Sequence, residues 1–147
     1  MKVAAGSDHA GYPAKVKAIA ILEKLGCEVE DLGTHSEASC DYPDFAVAVA
    51  ERVASGQADF GLLCCGTGMG MCMVANKVPG IRAATCHNDF TAEMARRHND
   101  ANILCIGGRV LDDTTLETVV RRFFQTPFDG GRHLRRIKKI ARLDRLR

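Results

Sequence analysis

The run Phe60-Gly61-Leu62-Leu63-Cys64-Cys65, followed at once by Gly66-Thr67-Gly68-Met69-Gly70, constrains the fold more than any other segment. Six residues without a charged side chain suit a strand buried on both faces, as the central strands of parallel sheets are. Three glycines in the next five residues then turn the chain into a short helix that runs through Ala75. Strand, glycine turn and helix in that order predict one βα unit.

The rest of the chain repeats the unit, with short apolar runs alternating with helical patterns about every 20–30 residues. Val3–Gly6 predicts a first strand, ending at Ser7-Asp8-His9. Ala14, Ala18, Ile21, Leu22 and Leu25 follow as one helical stripe, with Lys17, Glu23 and Lys24 off it and Gly26 as its stop. Val29–Leu32 is a weaker strand, and the polar stretch Gly33–Asp41 a loop. Pro43 opens a helix whose buried face is Phe45, Ala46, Val49, Ala50 and Val53. Ile81–Cys86 predicts a fourth strand, Asn88 the cap of a helix to about His98, and Ile103–Ile106 a fifth strand before Gly107-Gly108-Arg109. Thr114-x-x-Glu117 reads as a capping box for a helix carrying Leu116, Val119, Val120 and Phe123. Beyond Pro127 and Gly130-Gly131 comes a last helix, about 133–146, whose Leu134, Ile137, Ile140, Leu143 and Leu146 spiral over a wide arc. Such an arc touches more than one surface, and a partner subunit is one candidate.

The expected fold is therefore α/β: a single doubly wound, five-stranded parallel sheet with helices on both faces and a basic C-terminal helix. The 147 residues make one domain over 1–147. With 46% hydrophobic and 26% charged residues, disordered and fibrous classes are excluded. No apolar run approaches the roughly 20 residues of a membrane span. The start of the chain meets Asp8 and His9 too soon for a signal peptide. Seven cysteines, an odd number with no C-x-x-C pair and no zinc-like spacing, suit free thiols in a reducing cytoplasm. Cys27, Cys86 and Cys105 sit at or inside apolar runs and suit core positions. The charge is uneven: the last sixteen residues hold six Arg and two Lys against one Asp, and their +7 against a total of +2 leaves −5 for the first 131.

In doubly wound sheets ligands bind beyond the carboxyl ends of the strands. That rule selects Asp8 and His9, Cys65 to Gly70, His87 and Arg109. The loop Gly66–Gly70 turns backbone N–H groups toward one point at a helix start, which makes an anion or oxyanion cradle or, more simply, a tight turn. It is not the dinucleotide fingerprint, because position 71 is Met, nor a P-loop, which needs Lys and Ser/Thr. Cys65 stands at its mouth, where a helix N-terminus favours the thiolate. A nucleophile, a general base or a buried structural Cys all remain open there; Cys64 suits the structural role better. A cysteine phosphatase would need Arg six residues on, where Cys65 has Met71 and Cys64 has Gly70. His98 and Asn99 end a helix just before a strand, normally the wrong edge for a site. Arg132, His133, Arg135 and Arg136 open the last helix as a solvated basic face, a phosphate clamp or a nucleic-acid contact. Eight aromatics and no RNA-binding signature weigh against the last.

Together these segments resemble one family. Gly6-Ser7-Asp8-His9-Ala10-Gly11, Asp41-Tyr42-Pro43, Cys65 to Gly70, Ala75-Asn76-Lys77, Gly80-Ile81-Arg82-Ala83, His98 to Asn102 and Gly130-Gly131-Arg132-His133 look like type B ribose-5-phosphate isomerase, a group that includes the galactose-6-phosphate isomerase subunits. The motifs fall in family order from residue 6 to 136. The resemblance implies interconversion of an aldose phosphate and a ketose phosphate through an enediolate, without cofactor or metal. It implies Cys65 as the base and His98 as the acid/base that opens the sugar ring, with Asn99 beside it. Gly66, Thr67, Gly68, Met69 and Gly70 would hold the enediolate oxygen, Asp8 and His9 the sugar, and Arg109, Arg132 and Arg136 the phosphate and substrate. Some members use a Glu elsewhere as base; Cys65 places this chain in the Cys branch. The family is dimeric with sites shared between subunits, so a homodimer is expected, with a tetramer as a further assembly, and neither nucleic acid nor membrane as partner. Ribose 5-phosphate is the first substrate; allose 6-phosphate and galactose 6-phosphate are alternatives, as is a phosphate- or nucleotide-binding module without chemistry.

Overall fold

The computed structural model describes residues 1–144. Five strands, β1 Lys2–Ser7, β2 Glu28–Asp31, β3 Phe60–Cys65, β4 Ala83–Thr85 and β5 Ile103–Gly107, form one sheet in the order β2-β1-β3-β5-β4. Every pairing is parallel. Six helices lie among the described residues: α1 Tyr12–Lys24, α2 Tyr42–Ala54, α3 Met69–Ala75, α4 Asp89–Asn99, α5 Asp113–Gln125 and α6 Arg132–Leu143. The expected doubly wound sheet is what the chain builds. None of these helices is long and apolar enough to cross a membrane.

β3 is central, and Gly61 to Cys65 are buried. Its side chains alternate between two cores. Leu62 and Cys64 join Ala14, Ala18, Leu22, Leu116, Val119 and Phe123 under α1 and α5. Leu63 and Cys65 join Val49, Val53, Met71 and Ala75 under α2 and α3. Burial of this kind contributes roughly 25 cal/mol per Å² of apolar surface, so the strand that serves both cores is the least dispensable.

Two boundaries differ from the sequence reading. The fourth strand is Ala83–Thr85 rather than Ile81–Cys86, because side chains replace the ladder at its start. Arg82 N donates to Asn102 Oδ1 at 2.8 Å and Ala83 N to Asn76 Oδ1 at 2.9 Å. The cap of α5 is Asp112, whose Oδ1 accepts Thr115 N at 2.7 Å, not the Thr114–Glu117 box. Glu117 instead pairs with Arg121 Nε at 2.8 Å. Asn88 caps α4 as expected, with Thr91 completing a reciprocal box.

α6 docks lightly on the rest. His133 and Ile137 are its buried residues, while Leu134, Ile140 and Leu143 are exposed; Leu146 lies outside the described residues. The His133 ring stacks on His98 of α4, centroids 4.3 Å apart and 10° from parallel. Asp129, just before α6, takes Arg97 Nε at 3.1 Å on both oxygens. Asp144 closes the helix by accepting Gly80 N at 2.9 Å.

Burial, then the His98 ring, Arg132 and Arg136, hold the His133 ring neutral to lower pH than usual, with Asp129 opposing. An unfolded chain takes up that proton near pH 6.5 while the folded one resists it, so the unfolded state binds more protons below that point. Stability from this stack is therefore complete above about pH 6.5 and falls as pH drops. Thermal midpoints measured from pH 7.5 to 5.5 should decline, and His133→Phe, which keeps a ring on His98, should flatten the decline. Equal slopes in both proteins would clear the stack of this role.

Candidate active site

β2 lies on one side of β1 and β3 on the other, so the connections leave the sheet in opposite senses at the β1/β3 junction. A crevice opens there beyond the carboxyl ends. Asp8 and His9 leave β1 into it, and Cys65 with its glycine loop leaves β3. Asp8 N donates to Cys64 O at 3.2 Å, and buried Asp8 Oδ1 accepts Gly11 N at 2.9 Å. The carboxylate thereby caps the turn into α1. A methyl on Gly11 would lie 2.0 Å from Cys64 O, so only glycine lets that turn sit against β3.

Cys65 is buried, 5% exposed, and its Sγ accepts Gly68 N at 3.1 Å. Gly68 has φ +79°, and a Cβ there would also press on Thr85 and the backbone of Ile106 at 3.0 Å. That left-handed turn swings its N–H back onto Cys65. Because the Gly68 amide serves the sulfur, any oxyanion must be held by other N–H groups of the loop and first turn of α3, whose donors have no helical acceptor. Met69 N already meets Thr67 Oγ1 at 3.4 Å.

Arg109 closes the loop from the end of β5. Its N donates to Gly66 O at 3.1 Å, and its guanidinium passes over Gly66, where a methyl would sit 3.6 Å from Nη1. Tyr42, at the start of α2, lays its ring against Gly70, where a Cβ would be 2.9 Å from Cε2. In the sequence Tyr42 stands out only within Asp41-Tyr42-Pro43, because a half-exposed tyrosine beside a glycine loop gives no periodic signal. His9 Nδ1 accepts Cys40 N at 3.3 Å, which brings the 33–41 loop to the crevice. Cys64 is fully buried and its thiol is pushed up by that burial and by the Cys65 charge, as suits a structural residue. Cys72, one turn along α3, is the thiol lowered to about 6: a hydrogen bond from Cys105 leads, with Thr85 and Asn76 adding to it and burial opposing.

The remaining predicted residues do not join this group. α4 runs back from the carboxyl edge to the amino edge, where β5 begins. His98 and Asn99 end it there; His133 of α6 stacks on His98, and Arg132 and Arg136 stand close enough to His133 to act on its ring. Cys65 pairs with Gly107 and Gly61 with Ile103, so the two edges are separated by the length of β5, roughly 13 Å. One chain thus carries a thiol and its glycine loop at one edge and a basic histidine cluster at the other. His98, Asp129 and His133 place ligand atoms within 4.8 Å of one another, the arrangement among the described residues that could hold a metal ion. Closing on one would require unstacking the rings and drawing Asp129 from Arg97.

Comparison with known proteins agrees with this geometry. The family model described as Ribose/Galactose Isomerase matches residues 3–140. Ribose-5-phosphate isomerase B of Escherichia coli is 40% identical over 146 residues, 99% of this chain and 98% of that one. The ribose-5-phosphate isomerase B structure from Clostridium thermocellum superposes with TM-score 0.97 at 49% identity, covering 99% of both chains. That from Mycoplasma genitalium, with bound ribulose-5-phosphate, gives TM-score 0.93 at 42% identity over 98% of this chain and 96% of its own. A parallel sheet whose switch point presents a thiol, a glycine loop and Asp-His, matched over nearly its whole length, makes this chain a sugar-phosphate isomerase of the ribose/galactose isomerase family.

Proposed function

We propose that the chain interconverts ribose 5-phosphate and ribulose 5-phosphate, with Cys65 as the base. The observation that carries the reading is the Cys65 sulfur held by the Gly68 amide at the mouth of the β1/β3 crevice. It is supported by relatives named for this substrate, one of them with ribulose-5-phosphate bound.

The reaction needs a weak carbon acid to lose its proton to a fixed base while charge gathers on oxygen. The Cys65 thiolate takes the proton from C2 of the open-chain aldose. The C–H pair forms the C1–C2 double bond, and the carbonyl pair moves onto O1. N–H groups of Gly66, Thr67 and Gly70 stabilise that oxygen. The thiol returns its proton to C1 as the proton of the C2 hydroxyl passes to O1, leaving a carbonyl at C2. Asp8 and His9 bind sugar hydroxyls, and Arg109 lies over the loop as a further substrate contact.

His98 opens the ring, with Asn99 beside it, and Arg132 and Arg136 clamp the phosphate. These groups stand at the far edge of their own chain, so they serve the Cys65 of another. The exposed Leu134, Ile140 and Leu143 and the light docking of α6 suit that assembly, a homodimer. The protein works in the reducing cytoplasm, where its seven cysteines stay free.

Cys65→Ala should abolish isomerisation, by about a thousandfold or more, with sugar-phosphate binding nearly intact, while Cys64→Ala should change the rate only modestly. A coupled assay for ketose formation checks both; substantial turnover by Cys65→Ala would remove Cys65 from the reaction. Arg132→Ala and Arg136→Ala should each raise KM by roughly 10- to 100-fold, the loss of a charge-assisted contact of about 1.5–3 kcal/mol. Inorganic phosphate should inhibit the wild type competitively and the double variant hardly at all; undiminished inhibition would place the clamp elsewhere.

A further inference from the structure

Lys15 is the one charged side chain with no exposure at all among the described residues. It stands on the buried face of α1, whose apolar stripe gives no warning of it. Its Nζ lies 2.5 Å from Asp31 Oδ1 and 2.5 Å from the Thr34 carbonyl, over the Tyr12 ring at 5.5 Å. The same Asp31 oxygen accepts Gly33 N at 3.0 Å, and His35 Nδ1 lies 3.8 Å from Asp31 Oδ2. The ammonium therefore ties the end of β2 to the base of the 33–41 loop.

That base is also stitched to the site strand. Ser7 N donates to Gly33 O at 2.7 Å, and Thr34 N to Ser7 O at 2.8 Å. At its far end the loop returns to the crevice, where Cys40 N donates to His9 Nδ1 at 3.3 Å. A ring nitrogen that accepts an N–H carries a lone pair, so in the neutral imidazole the proton sits on Nε2. His9 is thereby set as an Nε2–H donor, the form suited to a sugar oxygen.

We propose that Lys15 is a positioning residue: by anchoring the base of the 33–41 loop it keeps the Cys40 N–H on His9 and so fixes the tautomer that His9 offers to the substrate. It touches no substrate itself. The proposal rests on the isomerase reading only in giving His9 a sugar to bind; the tautomer is a property of the free protein.

Lys15→Met is the direct test. It fills the same volume, and the Asp31 carboxylate it leaves behind is 32% exposed and stays hydrated, so the chain should fold. Asp31→Asn is the second variant; it keeps an acceptor for Gly33 N while removing the charge that holds the ammonium. Long-range 1H–15N correlations of the imidazoles, without substrate and at a pH alkaline enough to deprotonate them, should show His9 of the wild type as one tautomer protonated on Nε2. Either folded variant should show exchange between tautomers. KM for ribose 5-phosphate should rise about tenfold with kcat within about twofold. Leu22→Ala, buried on the same helix, should lower the unfolding midpoint yet leave the His9 ring and KM unchanged. An unaltered His9 tautomer in a folded Lys15→Met or Asp31→Asn protein would overturn the proposal, as would a Leu22→Ala protein that shifts the ring equally. A wild type inactive on ribose 5-phosphate would overturn the functional reading alone, since the ring measurement needs no substrate.

Discussion

The pairing of β3 with β1 on one side and β5 on the other is the constraint on which the rest depends. It places the thiol strand between the strand that delivers Asp8 and His9 and the strand that delivers Arg109. A slip of one residue would turn Cys65 from the α3 core toward the α1 core, because side chains alternate along a strand. The apolar run that fills both cores therefore also sets the register of the chemistry. The loop that follows adds one specific bond, Gly68 N to Cys65 Sγ, and that bond needs the left-handed turn only glycine adopts cheaply.

Polarity is divided between the two edges of the sheet. The carboxyl edge holds a sulfur among backbone amides; the amino edge gathers His98, His133, Arg132 and Arg136. Burial first, and then repulsion from His98, Arg132 and Arg136, suppresses protonation of His133 at the amino edge, and the proposed ligand of that basic cluster is a phosphate. The proposed roles of ring opening, proton transfer and phosphate binding are divided between these two edges. In the proposed assembly a second copy brings its amino-edge cluster to the Cys65 edge of the first.

Most of the fold was legible because each element carries a local signal: a six-residue apolar strand, a glycine turn, an Asn cap, a helical stripe. The failures are tertiary. Ile81 and Arg82 have strand-like neighbours, but the Asn76 and Asn102 side chains take the backbone bonds that would have extended β4. Thr114 and Glu117 have capping-box spacing, yet Asp112 reaches Thr115 N first. Lys15 was invisible because its partners, Asp31 and Thr34, lie sixteen and nineteen residues away and no periodicity joins them. Among the proposed site residues, those of the crevice follow from one rule about strand ends. His98 and Arg132 broke that rule, and only the resemblance to a family with shared sites gave them a place.

The central claim is that a working site takes Cys65 from one chain and the arginines from another. Subunit exchange between Cys65→Ala protein and an Arg132→Ala/Arg136→Ala double variant measures it directly. Each should be inactive or nearly so alone, and mild denaturation and refolding of the mixture should form heterodimers. With shared sites, one of the two sites in each heterodimer is complete, and activity should return to about half the wild-type value per heterodimer. Activity no higher than that of the separate variants, with heterodimers demonstrated in the sample, would contradict the account.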